Sequence, residues 1–275
     1  MPPPGGAALR AVGGDPPLLQ EERVLRIKSL LDEYARMSTD QMAQALAVSR
    51  ETVRRDILAL EAQGVLRRVH GGVVATSGRL EPPFVERQRL HAREKRAIAQ
   101  AVLPLLAPGQ TLFLDAGSTT GMLAEVLTAV PDLTVITNSV MIAMKLASAA
   151  PPGRGACTVI LLGGRPYADV QATYGAATVN EIARHHADIA VLSPVGLTAE
   201  QGASNYEHHE AAVAEAMVRQ SKRLFIMADY SKVGVASRVT YAPAAEIDVV
   251  ISNRKNGDER EWRNLRKADV KLVLV

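Results

Sequence analysis

Seven short apolar runs, separated by stretches with helical spacing, constrain the fold of this chain from residue 92 onward. Runs of continuous rather than alternating apolar residues are typical of parallel strands that are buried on both faces of a sheet. The alternation of such runs with helical stretches predicts a largely parallel α/β domain over residues 92–275. The runs are TLFLDA, LTVITN, TVILLGG, IAVLSPVG, RLFIMAD, VVISN and KLVLV.

The chain before this region divides into three segments. Residues 1–17 are rich in Pro and Gly and lack the continuous apolar core of a signal peptide, so we expect a disordered arm. Residues 18–75 have helical spacing followed by a Gly-Gly pair, which predicts a small separate domain. Residues 76–91 contain Pro82-Pro83 and several charges, which predict a linker.

Composition restricts the compartment and the kind of partner. The single cysteine, Cys157, excludes an internal disulfide framework and fits a reducing compartment. No run approaches the roughly 18 apolar residues of a membrane span, so we expect a cytoplasmic protein. Residues 18–80 carry ten Lys and Arg against eight Asp and Glu. Binding to nucleic acid must therefore depend on where particular arginines lie, because there is no large basic field.

Residues 38–62 have the pattern of two helices joined by a tight turn. Ser38 opens a capping box with Gln41, and Ser49 can cap the second helix after the turn at Ala47-Val48. A polar N-terminal end on the second helix is the arrangement with which a helix-turn-helix reads DNA.

The helix after Ser49 has an apolar face and a basic face. Val53, Ile57 and Leu60 recur at i, i+4 and i+7 and face a core. Arg54 and Arg55 lie near the helix N-terminus, where the helix dipole disfavours cations, so a partner such as DNA phosphate would supply the negative charge. The alternative is a protein-interaction module in which the arginines form solvated pairs with acidic neighbours such as Glu51 and Asp56.

The stretch VSRETVRRDILALEAQGVLRRVHGGVV resembles the signature of the DeoR family of bacterial transcriptional regulators. The S-x-x-T-x-R-R-D core, the glycine after the helix and the R-x-H-G-G wing carry the resemblance together. It implies an α+β winged helix-turn-helix domain that binds a double-stranded DNA operator as a homo-oligomer, either dimer or tetramer. The residues matched to DNA contacts are Ser49, Arg50, Thr52, Arg54, Arg55, Arg67 and His70.

The stretch DAGSTTGMLAEVL has the residues of an anion site. Asp115 ends a strand, Gly117 permits a turn, and three hydroxyl residues precede a helix whose first N–H groups can bind an anion. Asn138 ends the next strand in a similar way, and loops at the carboxyl ends of strands are where open α/β sheets bind ligands. Ser and Thr also cap helices for purely structural reasons, and these motifs alone leave that alternative open.

Later segments resemble the sensor domain of the same family, so that the resemblance spans about residues 20 to 253. The segments are FVERQRLHAREKRAIA, FLDAGSTT, VITNS, LLGG, ADIAVLSPVG, HEAAVAEAM and ADYSKVG. The resemblance implies a fold similar to ribose-5-phosphate isomerase and a phosphorylated sugar as effector. Arg87, Lys95 and Glu210 match positions near the pocket. The residues matched to the pocket itself are Asp115, Gly117, Ser118, Thr119, Thr120, Asn138, Asp229 and Lys232.

Three functions are compatible with these features. The first is a repressor-type regulator of carbohydrate metabolism whose operator affinity depends on a phosphorylated sugar, with no catalysis, cofactor or metal. The second is a sugar-phosphate isomerase with an accessory DNA-binding domain, for which Asp115, Glu210 and Asp229 are candidate bases. The third is a constitutive DNA-binding protein with a degenerate pocket, which predicts no thermal stabilisation by any phosphosugar. The resemblance favours the regulator.

Overall fold

The computed structural model describes residues 20–34, 36–62, 65–69, 72–75, 82, 84–149, 157–254 and 259–275. The chain divides into two compact units, Met1–Pro82 and Pro83–Val275. The predicted arm lies outside the described residues, as does the predicted linker over residues 76–81. The rest of the predicted linker, from Pro83 onward, belongs instead to the second unit, because Phe84 is only 5% exposed and packs in its core.

The first unit is a winged helix-turn-helix with a small apolar core. Ser38 Oγ accepts a hydrogen bond from the Gln41 amide at 3.1 Å, and Gln41 Oε1 accepts one from the Ser38 amide at 2.9 Å, so the predicted capping box is present. The wing is a three-stranded antiparallel sheet in which the strand Gly72–Ala75 lies between the strands Arg36–Met37 and Leu66–Val69. The elements are α1 (Gln20–Tyr34), β1 (Arg36–Met37), α2 (Thr39–Leu46), α3 (Arg50–Ala62), β2 (Leu66–Val69) and β3 (Gly72–Ala75).

The second unit is built on a seven-stranded sheet with helices on both faces. Its helices are α4 (Phe84–Arg89), α5 (Ala92–Val102), α6 (Ser118–Val126), α7 (Val140–Ala149), α8 (Ala176–Ile182), α9 (His208–Arg219) and α10 (Glu259–Lys267). The sheet strands are β4 (Thr111–Leu114), β5 (Thr134–Thr137), β6 (Thr158–Leu161), β9 (Ala187–Leu192), β12 (Ser221–Met227), β14 (Val249–Ser252) and β15 (Lys271–Leu274). The short strands outside this sheet are β7 (Arg165–Tyr167), β8 (Ala172–Tyr174), β10 (Gly196–Thr198), β11 (Gly202–Asn205) and β13 (Val239–Ala242).

All seven strands are parallel, in the order β15-β14-β12-β9-β4-β5-β6, and each one corresponds to one of the seven apolar runs. The predicted parallel α/β sheet is therefore confirmed. The runs are continuous because the two faces of each strand meet different layers: Phe113 packs in one core cluster, while Leu112 and Leu114 pack in the other. Trp262 and Leu265 of α10 are buried, and they lie three positions apart on one face of the helix.

Two small antiparallel sheets lie outside the main sheet and were not predicted. One pairs β7 with β8, and the other has the order β10-β11-β13. In the sequence, the first follows β6 and the second begins after β9. Both therefore start from the carboxyl end of a main-sheet strand, and the predicted pocket residues also follow the carboxyl ends of such strands. Within the described ranges, no helix combines the length and apolarity needed to cross a membrane.

Candidate functional site

Helix α3 presents an arginine-rich face on the surface of the first unit. Val53, Ile57 and Leu60 are buried against α1 and α2, as predicted. The opposite face carries Arg54 and Arg55, both exposed. Because the apolar residues hold one side of the helix in the core, the arginines are held on the other side, where a large partner can reach them.

The arginines of α3 differ in their intramolecular partners. Arg50 Nε lies 2.8 Å from Asp40 Oδ1, and Arg54 Nη1 lies 3.6 Å from Glu51 Oε2, both at exposed positions where such pairs contribute little. The Arg55 side chain makes no hydrogen bond or ion pair with any residue that the structure describes. Its guanidinium is therefore available to a partner without the loss of an existing contact.

Asp56 does not pair with the arginines beside it, so that part of the protein-interaction alternative is wrong. Its carboxylate is 3% exposed and accepts hydrogen bonds from Arg23 of α1, at 2.8 Å from Nε and 3.2 Å from Nη2. This bidentate pair fixes α3 against α1. The aspartate of the R-R-D motif therefore orients the helix, and the arginines project from it.

The other residues predicted to contact DNA differ in their hydrogen bonds and in their exposure. Ser49 Oγ accepts a hydrogen bond from the Thr52 amide at 3.1 Å and so caps α3, and it also lies 2.9 Å from Thr52 Oγ1. Arg67 of the wing is exposed. Arg68 is held by Glu61, with 2.6 Å between Arg68 Nε and Glu61 Oε2. His70 and the glycine predicted to end the helix, Gly64, lie outside the described residues.

The predicted pocket residues of the second unit lie along one edge of the main sheet. Asp115 follows β4, Asn138 follows β5, and Asp229 and Lys232 follow β12. These strands and β9 are neighbours in the order β12-β9-β4-β5 and all point the same way. With three strand spacings of about 4.8 Å each, the ends of β12 and β5 lie roughly 15 Å apart.

Asp115 is the centre of a hydrogen-bond network. Its Oδ1 accepts bonds from Thr120 Oγ1 at 2.8 Å and the Gly117 amide at 3.2 Å, and its Oδ2 accepts one from the Ser193 amide at 2.8 Å. Burial raises the pKa of Asp115 to about 6, although these three hydrogen bonds and the charge of Arg87 oppose the rise. Ser193 follows β9 and is not among the residues that the sequence predicted for the pocket.

Gly117 is required for space rather than for its backbone conformation. Its φ of −82° is open to any residue. A Cβ at this position would lie 2.8 Å from Ser193 Cβ, 2.9 Å from Thr120 Oγ1 and 3.0 Å from Asp115 Oδ1. The backbone here passes directly against the network around Asp115, which leaves the buried N-terminal turn of α6, at Ser118, Thr119 and Thr120, facing the ends of the strands.

Lys95 connects this turn to α4. Its side chain is 3% exposed, and its Nζ donates hydrogen bonds to the Arg87 carbonyl oxygen at 2.6 Å and to Ser118 Oγ at 3.1 Å. A buried ammonium needs such oxygen partners, because burial without them is costly. Lys95 therefore ties the last turn of α4 to the first residue of α6.

Asn138, Asp229 and Lys232 are held in different ways. Asn138 is 1% exposed, and its Nδ2 donates to the Thr173 carbonyl oxygen at 3.0 Å. Asp229 is buried and accepts a hydrogen bond from the Ser231 amide at 3.0 Å. The backbone of Lys232 is fixed by its amide, which donates to the Asp229 carbonyl, and by its carbonyl, which accepts from the Leu197 amide, both at 2.9 Å.

The structure adds aromatic residues that the sequence did not indicate. Tyr174 and His209 meet edge to face with ring centroids 4.6 Å apart. Burial raises the pKa of Tyr174 well above its usual range, and the nearby carboxylates of Glu210 and Asp115 raise it further. Glu210 at the start of α9 and Asp115 therefore both lie close enough to Tyr174 for their charges to act on its hydroxyl. Among the described residues, no group of three His, Cys, Asp or Glu side chains could hold a metal ion.

Comparison with known proteins assigns both units. Residues 23–79 match the DeoR-like helix-turn-helix domain, and residues 90–254 match the DeoR C-terminal sensor domain. The chain is 32% identical over 238 residues to the HTH-type transcriptional repressor GlcR of Bacillus subtilis (strain 168), covering 86% of this chain and 90% of the relative. It is 26% identical over 234 residues to the glycerol-3-phosphate regulon repressor of Escherichia coli (strain K12), covering 85% and 91%. Among solved structures, ribose 5-phosphate isomerase A from Neisseria gonorrhoeae matches 53% of this chain and 54% of its own, with a TM-score of 0.37 and 15% identity. The sensor-domain match alone spans more than half of the sequence, and the chain therefore belongs to the DeoR family of transcriptional regulators.

Proposed function

We propose that this protein is a DNA-binding repressor of carbohydrate-metabolism genes and that a phosphorylated sugar in the second unit changes its affinity for the operator. Both relatives described above are named as repressors, and one of them is named for the glycerol-3-phosphate regulon. A regulator of this kind acts on DNA in the cytoplasm. A single helix-turn-helix reads only a few base pairs, so the proposal includes a homo-oligomer, dimer or tetramer, on repeated half-sites.

The observation that carries the effector part is the convergence of polar residues at the ends of neighbouring strands. Asp115, Asn138 and Asp229 come from separate parts of the sequence, yet all follow strands of the block β12-β9-β4-β5. Such a convergence at the carboxyl ends of parallel strands is where open α/β sheets bind ligands.

Each group has a chemical role in the proposal. The first N–H groups of α6 and the hydroxyls of Ser118 and Thr119 receive the phosphate, and Lys232 supplies a positive charge. The carboxylates of Asp115 and Asp229 accept hydrogen bonds from sugar hydroxyls. On the DNA side, Arg55 and the neighbouring arginines of α3 contact base edges and phosphates.

The signal must pass from the pocket to the DNA-binding unit, since a ligand shifts an equilibrium only through contacts that differ between two states. Within the second unit, Lys95 connects the proposed phosphate site to α4, because it donates hydrogen bonds to both Ser118 Oγ and the Arg87 carbonyl oxygen. Helix α4 is the first element of the second unit in the sequence.

The isomerase alternative rests on Asp115, because a carboxyl with a pKa of about 6 suits a general base. Both of its oxygens, however, already accept hydrogen bonds from Gly117, Thr120 and Ser193, which fits a structural and binding role better. Turnover of ribose 5-phosphate by the purified protein would favour the enzyme.

The effector site can be tested with two lysine variants, one in the loop after β12 and one at the start of that strand. Lys232→Ala removes the charge proposed to neutralise phosphate, and Lys222→Ala removes an exposed lysine at the opposite end of β12. We expect both variants to bind operator DNA like the wild type in the absence of effector. Lys232→Ala should need at least tenfold more phosphosugar for the same change in DNA affinity, and Lys222→Ala should not. An unchanged response in Lys232→Ala would show that the phosphate assignment is wrong.

A further inference from the structure

Two buried polar atoms near Asp115 have no hydrogen-bond partner among the residues that the structure describes. They are the side-chain oxygen Oδ1 of Asn138 and the hydroxyl of Tyr241. Asn138 is 1% exposed and Tyr241 is 4% exposed. More than about 90% of buried polar groups in proteins are hydrogen-bonded, so such atoms indicate a missing partner.

Both atoms belong to the surroundings of the same carboxylate. Asn138 lies beside Asp115 because β4 and β5 pair in register, with Leu114 opposite Thr137. The charge of Asp115, together with the larger effect of burial, raises the pKa of Tyr241 well above its usual range, so this hydroxyl also lies within the field of the carboxylate.

The backbone explains why Tyr241 is there. Asp115 accepts a hydrogen bond from the Ser193 amide, and two residues further on the Val195 amide donates to the Ser204 carbonyl at 3.0 Å. Ser204 belongs to β11, which pairs with β13, the strand that carries Tyr241. The small sheet β10-β11-β13 is therefore attached at the end of β9, next to the end of β4.

The hydrogen-bonding capacities of the two atoms match those of a hydroxyl group on a ligand. Asn138 Nδ2 donates to the Thr173 carbonyl oxygen, which fixes the orientation of the amide. The atom left without a partner among the described residues is Oδ1, a carbonyl oxygen that can only accept. The Tyr241 hydroxyl can donate or accept. A sugar hydroxyl can also do both, whereas inorganic phosphate bound at α6 has no carbon chain that could extend to these atoms.

We propose that Asn138 Oδ1 and the Tyr241 hydroxyl form a second recognition end of the effector pocket, which binds hydroxyl groups on the carbon chain of a phosphorylated sugar or polyol. This inference rests on the proposed function, since the phosphate is bound at the N-terminal turn of α6. Tyr241 is thereby a specificity-determining residue that separates phosphosugars from phosphate itself. The edge-to-face pair Tyr174 and His209 forms an aromatic wall of the same region.

The test uses Tyr241→Phe, which removes the hydroxyl and keeps the ring, so that packing is unchanged. The matched control is Gln220→Ala, because Gln220 Oε1 is also buried without a partner among the described residues but precedes β12, at the opposite end of the sheet from Asp115. Calorimetric titrations of the full chain would use ribose 5-phosphate, glucose 6-phosphate, glycerol 3-phosphate and inorganic phosphate. A thermal melt without ligand would confirm that each variant folds.

We expect Tyr241→Phe to weaken binding of the tightest organic phosphate about tenfold, as for the loss of one buried hydrogen bond. Binding of inorganic phosphate should stay within about twofold of the wild type, and Gln220→Ala should bind every probe like the wild type. The inference is overturned if Tyr241→Phe leaves the organic phosphates unaffected, or if it weakens inorganic phosphate equally. If the wild type binds none of the organic phosphates, the proposed function fails first and this inference fails with it.

Discussion

Arg55 gives the sharpest prediction on the DNA side. It is exposed on the outer face of α3 and has no partner within the described part of the chain, whereas Arg50 and Arg54 each lie beside an acidic side chain. The variant Arg55→Ala should therefore leave the folded protein unchanged, with a free energy of unfolding within about 0.5 kcal/mol of the wild type. Any loss of DNA binding would then report on the contact itself.

The expected size of that loss follows from the chemistry of arginine. A bidentate contact to a guanine contributes about 1–3 kcal/mol of discrimination. With about 1.4 kcal/mol for each tenfold change, the affinity for operator DNA should fall roughly 5- to 150-fold. A contact to phosphate alone would instead weaken operator and unrelated DNA alike, and would reduce the slope of log affinity against log salt by about 1.

The assay is fluorescence anisotropy on operator DNA and on a scrambled duplex at several salt concentrations. Arg26→Ala is the control, because Arg26 is an exposed arginine on α1 of the same unit. We expect normal operator binding by Arg26→Ala and a loss specific to the operator in Arg55→Ala. An Arg55→Ala protein with unchanged operator affinity would refute the assignment of α3 as the recognition helix.

Three further predictions concern residues whose contacts stabilise one unit from within. Asp56→Ala removes the two hydrogen bonds that join the Asp56 carboxylate to Arg23 and should lower the free energy of unfolding by about 1.5–3 kcal/mol in urea titrations, as for hydrogen bonds to a charged group; a change below about 0.5 kcal/mol would contradict the orienting role of this pair. Asp115 binds its proton more tightly in the folded state, at a pKa of about 6, than in the unfolded state. The free energy of unfolding should therefore fall as the pH rises from about 4 to 6, by about 3 kcal/mol relative to Asp115→Asn, and parallel pH profiles of the two proteins would exclude this. Gly117→Ala places a Cβ 2.8 Å from that of Ser193 and should destabilise the protein by about 1–3 kcal/mol while weakening phosphosugar binding, and normal binding would show that the turn can adjust.

Much of the fold could be predicted because its strands are buried on both faces. Each strand of the main sheet is a continuous apolar run, and the helical stretches between them fix the parallel direction. The small sheets could not be predicted in this way. Strand β11, for example, has the sequence GASN, which has no apolar period, and it is buried only because α9 and β13 pack against it.

The candidate site was predictable where its chemistry is local. The loop from Asp115 to Thr120 has a recognisable sequence because a strand end, a glycine and a helix N-terminus follow one another directly. Contacts between distant residues gave no such signal: Asp115 meets the Ser193 amide across 78 positions, and Asp56 meets Arg23 across 33. The sequence suggested pairing of Asp56 with its neighbours, because spacing along a helix cannot show which residue of another helix lies opposite.

The measurement that tests the regulator most directly is the affinity of the wild-type protein for DNA from upstream of its own gene, with and without phosphosugars, at one fixed salt concentration. Fixed salt is essential because phosphate contacts make the affinity steeply dependent on ionic strength. We predict specific binding that changes at least severalfold with one phosphosugar of a panel and not with inorganic phosphate. Specific binding that no phosphosugar alters would contradict the proposed effector role of the second unit. An absence of specific binding even at low salt would contradict the assignment of α3 as the helix that reads DNA.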